Sequence, residues 1–210
     1  EPQAGSDLAS LRCKAELQGE RYVVNGQKCW QSYAQDMDHL WLLCRTGSQE
    51  SRGRGLTLLI VDRNSPGVTV RPLPTMDGEQ LNEIFFDNVE VPVSQRVGPQ
   101  DGAWKIMSAA LADERHIQFP PRRIRADFEE VVALLRDCGA LHQERVRERL
   151  AELAVRVHEV EAHGLRVLDA MQRGQAGVAE AAANKIAHTL ACQEIARAAL
   201  DLAGPQALRA

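Results

Sequence analysis

Near Gly102 the spacing of apolar residues changes, and neither a lone sheet nor a lone bundle satisfies both patterns. Before that point the apolar runs are short or alternating: RYVV (21–24), LWLLC (40–44), GLTLLIVD (55–62), GVTVRPL (67–73) and NEIFFDNVEV (82–91). Asn25-Gly26, Ser65-Pro66-Gly67 and Asp77-Gly78 punctuate them as turns. Beyond it, Val146, Leu150, Leu153, Val157 and Val160 recur at steps of four, three, four and three, which is one apolar helix face. Arg147, Glu148, Arg149, Glu152 and Glu159 fill the other faces. Strands segregated from helices predict an α+β chain. We expect an antiparallel β-sandwich or barrel over residues 1–101 and an α-helical bundle over 102–210.

Within the helical half, GAWKIMSAALADERHIQF (102–119) reads as one helix, which Pro120-Pro121 would interrupt or bend. Another is expected over Val178–Ala203, with Ile186, Leu190, Ile195 and Leu202 among its apolar positions, closed by Gly204-Pro205. QRGQAG (172–177) reads as an inter-helix loop. Three such helices cannot bury all their faces, so partner helices from further sequence or another subunit are expected.

Composition excludes several classes. A net charge of −4 carries no basic excess, which argues against wholesale nucleic-acid binding. No apolar run approaches the roughly 20 residues of a membrane-spanning helix, and the opening EPQAGSD does not read as a signal peptide. The five cysteines (13, 29, 44, 138, 192) are dispersed and lack CxxC spacing. That argues against a zinc site or disulfide framework and fits a reducing cytoplasm. The abrupt start reads as part of a longer protein.

One stretch asks for a chemical explanation. NGQKCWQSYA (25–34) places Trp30 and a cluster of short polar side chains directly after an Asn-Gly pair. Half-buried packing on a sheet would account for Trp30 alone. EPQAGSD (1–7), GQKCWQS (26–32), SPGVTVRPL (65–73), NEIFFDNVEVP (82–92) and Asp113-Glu114-Arg115 occur in that order. Together they resemble the acyl-CoA dehydrogenase family, flavoenzymes that introduce a Cα–Cβ double bond into acyl-CoA thioesters. WQSYA and MDGEQLNEIFF resemble the branch acting on bulky substrates such as steroid side chains. The resemblance covers the family's middle β domain and most of its C-terminal helical domain; the N-terminal helical domain is absent from these residues.

The resemblance implies FAD as cofactor. Trp30 matches the tryptophan packed on the flavin ring system, and Ser32 matches a hydroxyl residue bonding near flavin N5. Ser6 matches a position near the CoA moiety or the flavin, although Gly5-Ser6-Asp7 also reads as a plain turn. Glu114 matches one of two family locations for the base that removes the α-proton, with ordinary helix surface as the alternative. Arg115 matches a contact to the CoA part, or else forms a salt bridge. The implied partners are an acyl-CoA substrate, an electron-transfer flavoprotein as acceptor, and other subunits in a homo- or hetero-oligomer such as a dimer of dimers.

Three positions depart from the family pattern. Ala112 stands where an aspartate helps bind CoA. No Arg-x-x-Phe-Gly stretch occurs within 136–149, and Asp201 replaces a glutamine that contacts the FAD pyrophosphate. A carboxylate opposite a pyrophosphate is repulsive. A non-catalytic partner subunit of a heteromeric dehydrogenase is therefore the rival reading.

Overall fold

The computed structural model describes residues 1–76, 78–175 and 177–204, without the side chains of 112, 113, 115–117 and 178. Asp77 and Pro205, read above as turn and helix stop, lie outside the described residues. The chain divides into two compact units, Glu1–Ala109 and Ala110–Ala210.

The first unit holds β1 (Lys14–Gln18), β2 (Arg21–Lys28), β3 (His39–Arg45), β4 (Leu56–Asp62), β5 (Val68–Pro74), β6 (Gln80–Pro92) and β7 (Arg96–Val97). They form one sheet in the order β5-β6-β2-β1-β3-β4-β7. Ladders between the strands are antiparallel except the parallel bridge Lys14 to Arg45, which joins β1 to β3. At that bridge the sheet folds on itself. Tyr22, Val24, Ile84, Phe86, Val89 and Val91 from one wing share a core with Leu40, Leu42, Cys44, Leu59 and Val61 from the other.

A second apolar layer covers the opposite face of β3 and β4. Leu43, Leu56 and Leu58 pack there against Ala4, Leu11 and Ala103, with Ile106 and Met107 beside them. Burial on both faces explains why LWLLC and GLTLLIVD run apolar without alternation. It also explains why the unit's limit falls inside the following helix, later than the change of period at 102.

Asn25-Gly26 is not a turn. Both residues lie within β2, where Val24 pairs with Val89 and Gly26 with Phe86, so Asn25 alone faces Asp87 and Asn88. This is a β-bulge. Asn88 takes φ 50° and its N–H donates to Asn25 Oδ1 at 2.8 Å. Gly26 takes φ 141°, and a Cβ there would meet Cys13 Cα at 2.8 Å. The bulge shifts the inward phase of β6 from Asn82, Ile84 and Phe86 to Val89 and Val91. The reversal between β1 and β2 is made instead at Gly19, φ 62°.

Four α-helices are present among the described residues: α1 (Ala103–Gln118), α2 (Pro121–Asp137), α3 (Glu144–Gln172) and α4 (Val178–Ala203). The sequence reading lacked α2 as a separate helix. Pro121 occupies its first turn, where the missing N–H and fixed φ are compatible with helix initiation. All five residues of the predicted α3 face are buried, against Ile124, Val131 and Leu135 of α2 and Ala191, Ile195 and Ala198 of α4.

On α4 the expected apolar set divides. Ile195 is buried and Leu202 partly so, but Ile186 and Leu190 are 58% and 46% exposed. Small residues take the inner stripe because they permit close helix approach, which leaves the larger ones outside. Two polar residues, Asn184 and His188, are buried in that stripe.

Candidate functional site

The segment after β2 turns Trp30 outward. Trp30 has φ 66° and is 62% exposed, so sheet packing does not account for it. Positive φ is costly for a large side chain, and surrounding bonds must hold it. Asn82 of β6, fully buried, supplies them. Its Nδ2 donates to Gln31 O at 2.9 Å and Gln35 Oε1 at 2.6 Å, while Gln31 N–H donates to Asn82 O at 3.1 Å. Buried Ala34 anchors the same turn, and Tyr33 (φ 60°) also faces outward. Ser32 is exposed on this turn, two residues from Trp30. Sequence reasoning missed Asn82; its signal was a polar residue at an inward position of an alternating strand.

A second segment, residues 1–12, is pinned beside it. The Glu1 carboxylate accepts Lys28 Nζ at 2.8 Å, the Arg12 N–H at 2.7 Å and the Cys13 N–H at 3.0 Å. Ser6 is exposed and lines a groove of about 560 Å³ with Asp7, Glu50, Arg52, Arg54 and Trp104. Arg45, 4% exposed, holds the walls of this groove together. Its guanidinium donates to the carbonyls of Ala9, Leu11, Ser48 and Arg52 at 2.7 to 3.1 Å. Burial lowers the Arg45 pKa from its ordinary value.

In the second unit, Glu114 lies on α1 with an exposed side chain, and Gln118 Nε2 donates to its carboxylate. The side chains of Arg115 and Ala112 lie outside the described set. Asp201 lines a groove of about 640 Å³ between α3 and α4, together with Arg145, Arg149, Arg197 and Glu194. Three arginines and a second carboxylate therefore share the groove of the residue that the sequence reading took as repulsive to a pyrophosphate. Arg149 is partly engaged by Glu152 at 2.7 Å.

Among the described residues no group of three or more His, Cys, Asp or Glu side chains is placed to hold a metal. Among those same residues no helix is long and apolar enough to cross a membrane.

Comparison with known sequences gives the family. Residues 1–89 match the model of the acyl-CoA dehydrogenase middle domain, and residues 101–210 match that of the C-terminal domain. The chain belongs to the acyl-CoA dehydrogenase family. It is similar to acyl-CoA dehydrogenase FadE29 of Mycobacterium tuberculosis, 32% identical over 97% of this chain and 54% of that protein. Among solved structures, the Tcur3481-Tcur3483 steroid ACAD superposes with a TM-score of 0.89, at 31% identity, over 98% of this chain and 54% of that one. The ChsE4-ChsE5 complex from M. tuberculosis gives 0.85 at 31% identity, over 99% and 55%. The chain thus spans about half the length of the relatives it matches.

Proposed function

We propose that this protein catalyses flavin-dependent α,β-dehydrogenation of an acyl-CoA thioester. The observation that carries this reading is the outward Trp30, held at positive φ on a turn fixed by buried Asn82, with Ser32 beside it. A flat exposed indole fits an isoalloxazine face, and a short hydroxyl can approach a ring nitrogen without crowding it. Taken by itself, the helical unit presents Arg145, Arg149 and Arg197 in one groove, where Glu194 and Asp201 would oppose a phosphate. The bound flavin supplies a two-electron hydride acceptor.

Glu114 removes the α-proton onto its carboxylate. Trp30 orients the ring, Ser32 donates toward it, and Ser6 belongs to the surface that receives the thioester's carrier. Arg115 reaches the CoA part, and an electron-transfer flavoprotein accepts the electrons. The assembly is an oligomer, and the similarity to two heteromeric complexes favours one with unlike chains. A bulky or steroid acyl group follows the same relatives.

Ala112, Asp201 and the missing Arg-x-x-Phe-Gly stretch favour a second reading, a non-catalytic partner subunit. Glu114→Gln in the full-length complex separates the two. Loss of turnover by about a thousandfold or more, with flavin absorbance retained, is the expected result for a catalytic base. Full turnover would assign the chemistry to another chain.

A further inference from the structure

The helix that carries Glu114 ends on a set of buried contacts to which flavin packing and proton abstraction give no task. α1 stops at Gln118, one turn beyond Glu114, and Gln118 Nε2 donates to the Glu114 carboxylate. Pro120 and Pro121 force the stop. They carry no N–H, so the carbonyls of His116 and Ile117 lack the donors that an unbroken helix would supply. Ahead of that end Ser108, Ala109 and Ala110 are exposed, as are Glu114 and Gln118. These side chains give the helix no anchor near Glu114. The elbow that follows, residues 119–121, gives one.

Three contacts seat the elbow on α3 and α4. Gly164 of α3 lies under Pro121, so close that a Cβ at 164 would meet Pro121 Cγ at 2.9 Å and Asn184 Oδ1 at 3.5 Å. Asn184 of α4, 4% exposed, donates from Nδ2 to Phe119 O at 3.5 Å, while the Arg123 N–H donates to Pro120 O at 3.1 Å. One turn further along α4, buried His188 sets its ring 5.3 Å from that of Phe119, tilted by 59°. The inner stripe of α4 is otherwise rich in alanine, with Ala181, Ala191 and Ala198 all buried. Alanine at 184 would pack as closely and bury no amide. What the amide gains there is the Phe119 carbonyl.

We propose that Gly164, Asn184 and His188 are positioning residues: they seat the 119–121 elbow and, through the last turn of α1, set where the Glu114 carboxylate stands. This rests on the dehydrogenase reading for the task of Glu114. The physical reason is the stiffness of a helical turn. Anchoring residue 119 fixes the turn before it. A loosened elbow lets the carboxylate drift, and proton abstraction slows steeply with misplacement.

The test uses the full-length complex carrying Asn184→Ala, Gly164→Ala, His188→Ala or His188→Phe. Stopped-flow absorbance gives the rate of flavin reduction by an acyl-CoA, and hydrogen exchange reads the amides of residues 110–118. Asn184→Ala and His188→Ala should slow flavin reduction about tenfold, with steady-state KM within about twofold and flavin content unchanged. Exchange at 110–118 should quicken by a similar factor. Gly164→Ala, which displaces Pro121, should behave like Asn184→Ala. His188→Phe keeps a ring against Phe119 and should retain the wild-type rate. Ile195→Val, a loss of core packing elsewhere on α4, should leave the rate unchanged. In a Glu114→Gln background, Asn184→Ala should slow the residual rate less than twofold, because the seat acts through that carboxylate. Equal slowing in both backgrounds overturns the proposal, as does a wild-type reduction rate or wild-type exchange in Asn184→Ala and His188→Ala. If the wild-type complex oxidises no acyl-CoA, the dehydrogenase reading fails, and the exchange measurement still decides whether the seat holds the end of α1.

Discussion

Lys28 Nζ lies 2.8 Å from Glu1 Oε1, in an ion pair whose side chains are only 13% and 3% exposed. Lys28 ends β2, two residues before Trp30, and Glu1 begins the segment that carries Ser6. The pair therefore ties the two proposed ligand-contacting stretches of the β unit together. Burial alone would raise the Glu1 pKa. Lys28 and the N–H groups of Arg12 and Cys13 outweigh it and hold the carboxyl below its ordinary value.

Lys28→Met should destabilise the β unit by about 3 kcal/mol or more, because it leaves a buried carboxylate without its cation. Urea unfolding measures this. A carboxyl held below its unfolded value of 4.5 contributes stability that is present above that pH and lost as pH falls through the folded value. In wild type, acid should therefore erode stability below about pH 4.5; in Glu1→Gln that part of the slope should vanish. An unaltered acid limb in Glu1→Gln would refute the pair's contribution.

Arg45→Met should be among the most damaging single changes in the β unit. It removes donors from four carbonyls, those of Ala9, Leu11, Ser48 and Arg52. Each orphaned buried acceptor costs about 1 kcal/mol or more, offset in part by removing a buried cation from an apolar setting. A net loss of about 2–4 kcal/mol in urea unfolding is expected, with the Ser48–Arg52 loop gaining protease sensitivity. Resistance of that loop to cleavage in the variant would contradict the role given to Arg45.

Much of the fold was legible because burial sets the period. The α3 face and the alternation along β6 follow from spacing that a one-sided core imposes, whereas β3 and β4, buried on both faces, were legible as short unbroken apolar runs. What was misread has local causes. Asn25-Gly26 carries turn chemistry, yet the same tolerance of unusual φ serves a bulge, and only the β2–β6 pairing distinguishes them. Ile186 and Leu190 looked like core, but the packing distance between helices favours alanine over bulk. At the site, motif order marked Trp30, Ser32, Ser6 and Glu114. It could not reveal Asn82 or Arg45, whose roles include contacts 51 and 34 residues away in sequence, or Trp104, which depends on the approach of Gly53.

Asn82→Ala should separate flavin binding from stability. Its side chain fixes Gln31 and Gln35, and through them the outward Trp30. We expect loss of about 1–3 kcal/mol of stability from the unpaired groups left behind. Flavin affinity should fall further, about tenfold, because the indole is no longer preorganised. Absorbance titration of the apo-complex with FAD checks this. A fall in melting temperature with wild-type flavin affinity would mean that the turn is dispensable for the cofactor.

His188 gives the helical unit its own pH dependence. The side chain is 2% exposed, its Nδ1 has no hydrogen-bond partner among the described residues, and its ring lies 5.3 Å from that of Phe119. From α2, Asp127 and Arg123 face it with opposite charges; on α4, Cys192 Sγ approaches Asp127 Oδ2 at 3.7 Å. Burial is the largest influence and lowers the imidazole pKa, Asp127 opposes that shift, and Arg123 reinforces it. A histidine with a folded pKa below its ordinary 6.5 takes up a proton more readily when unfolded. Stability is therefore complete above about pH 6.5 and declines as pH falls toward the folded value. His188→Phe removes both the orphaned nitrogen and the titration. Its stability at neutral pH should equal or exceed that of wild type, by up to about 1 kcal/mol, because an unsatisfied buried polar atom is replaced by apolar surface. Between pH 7 and 5 its unfolding free energy should be flatter than that of wild type. An equally steep decline in the variant would mean that another group carries the dependence.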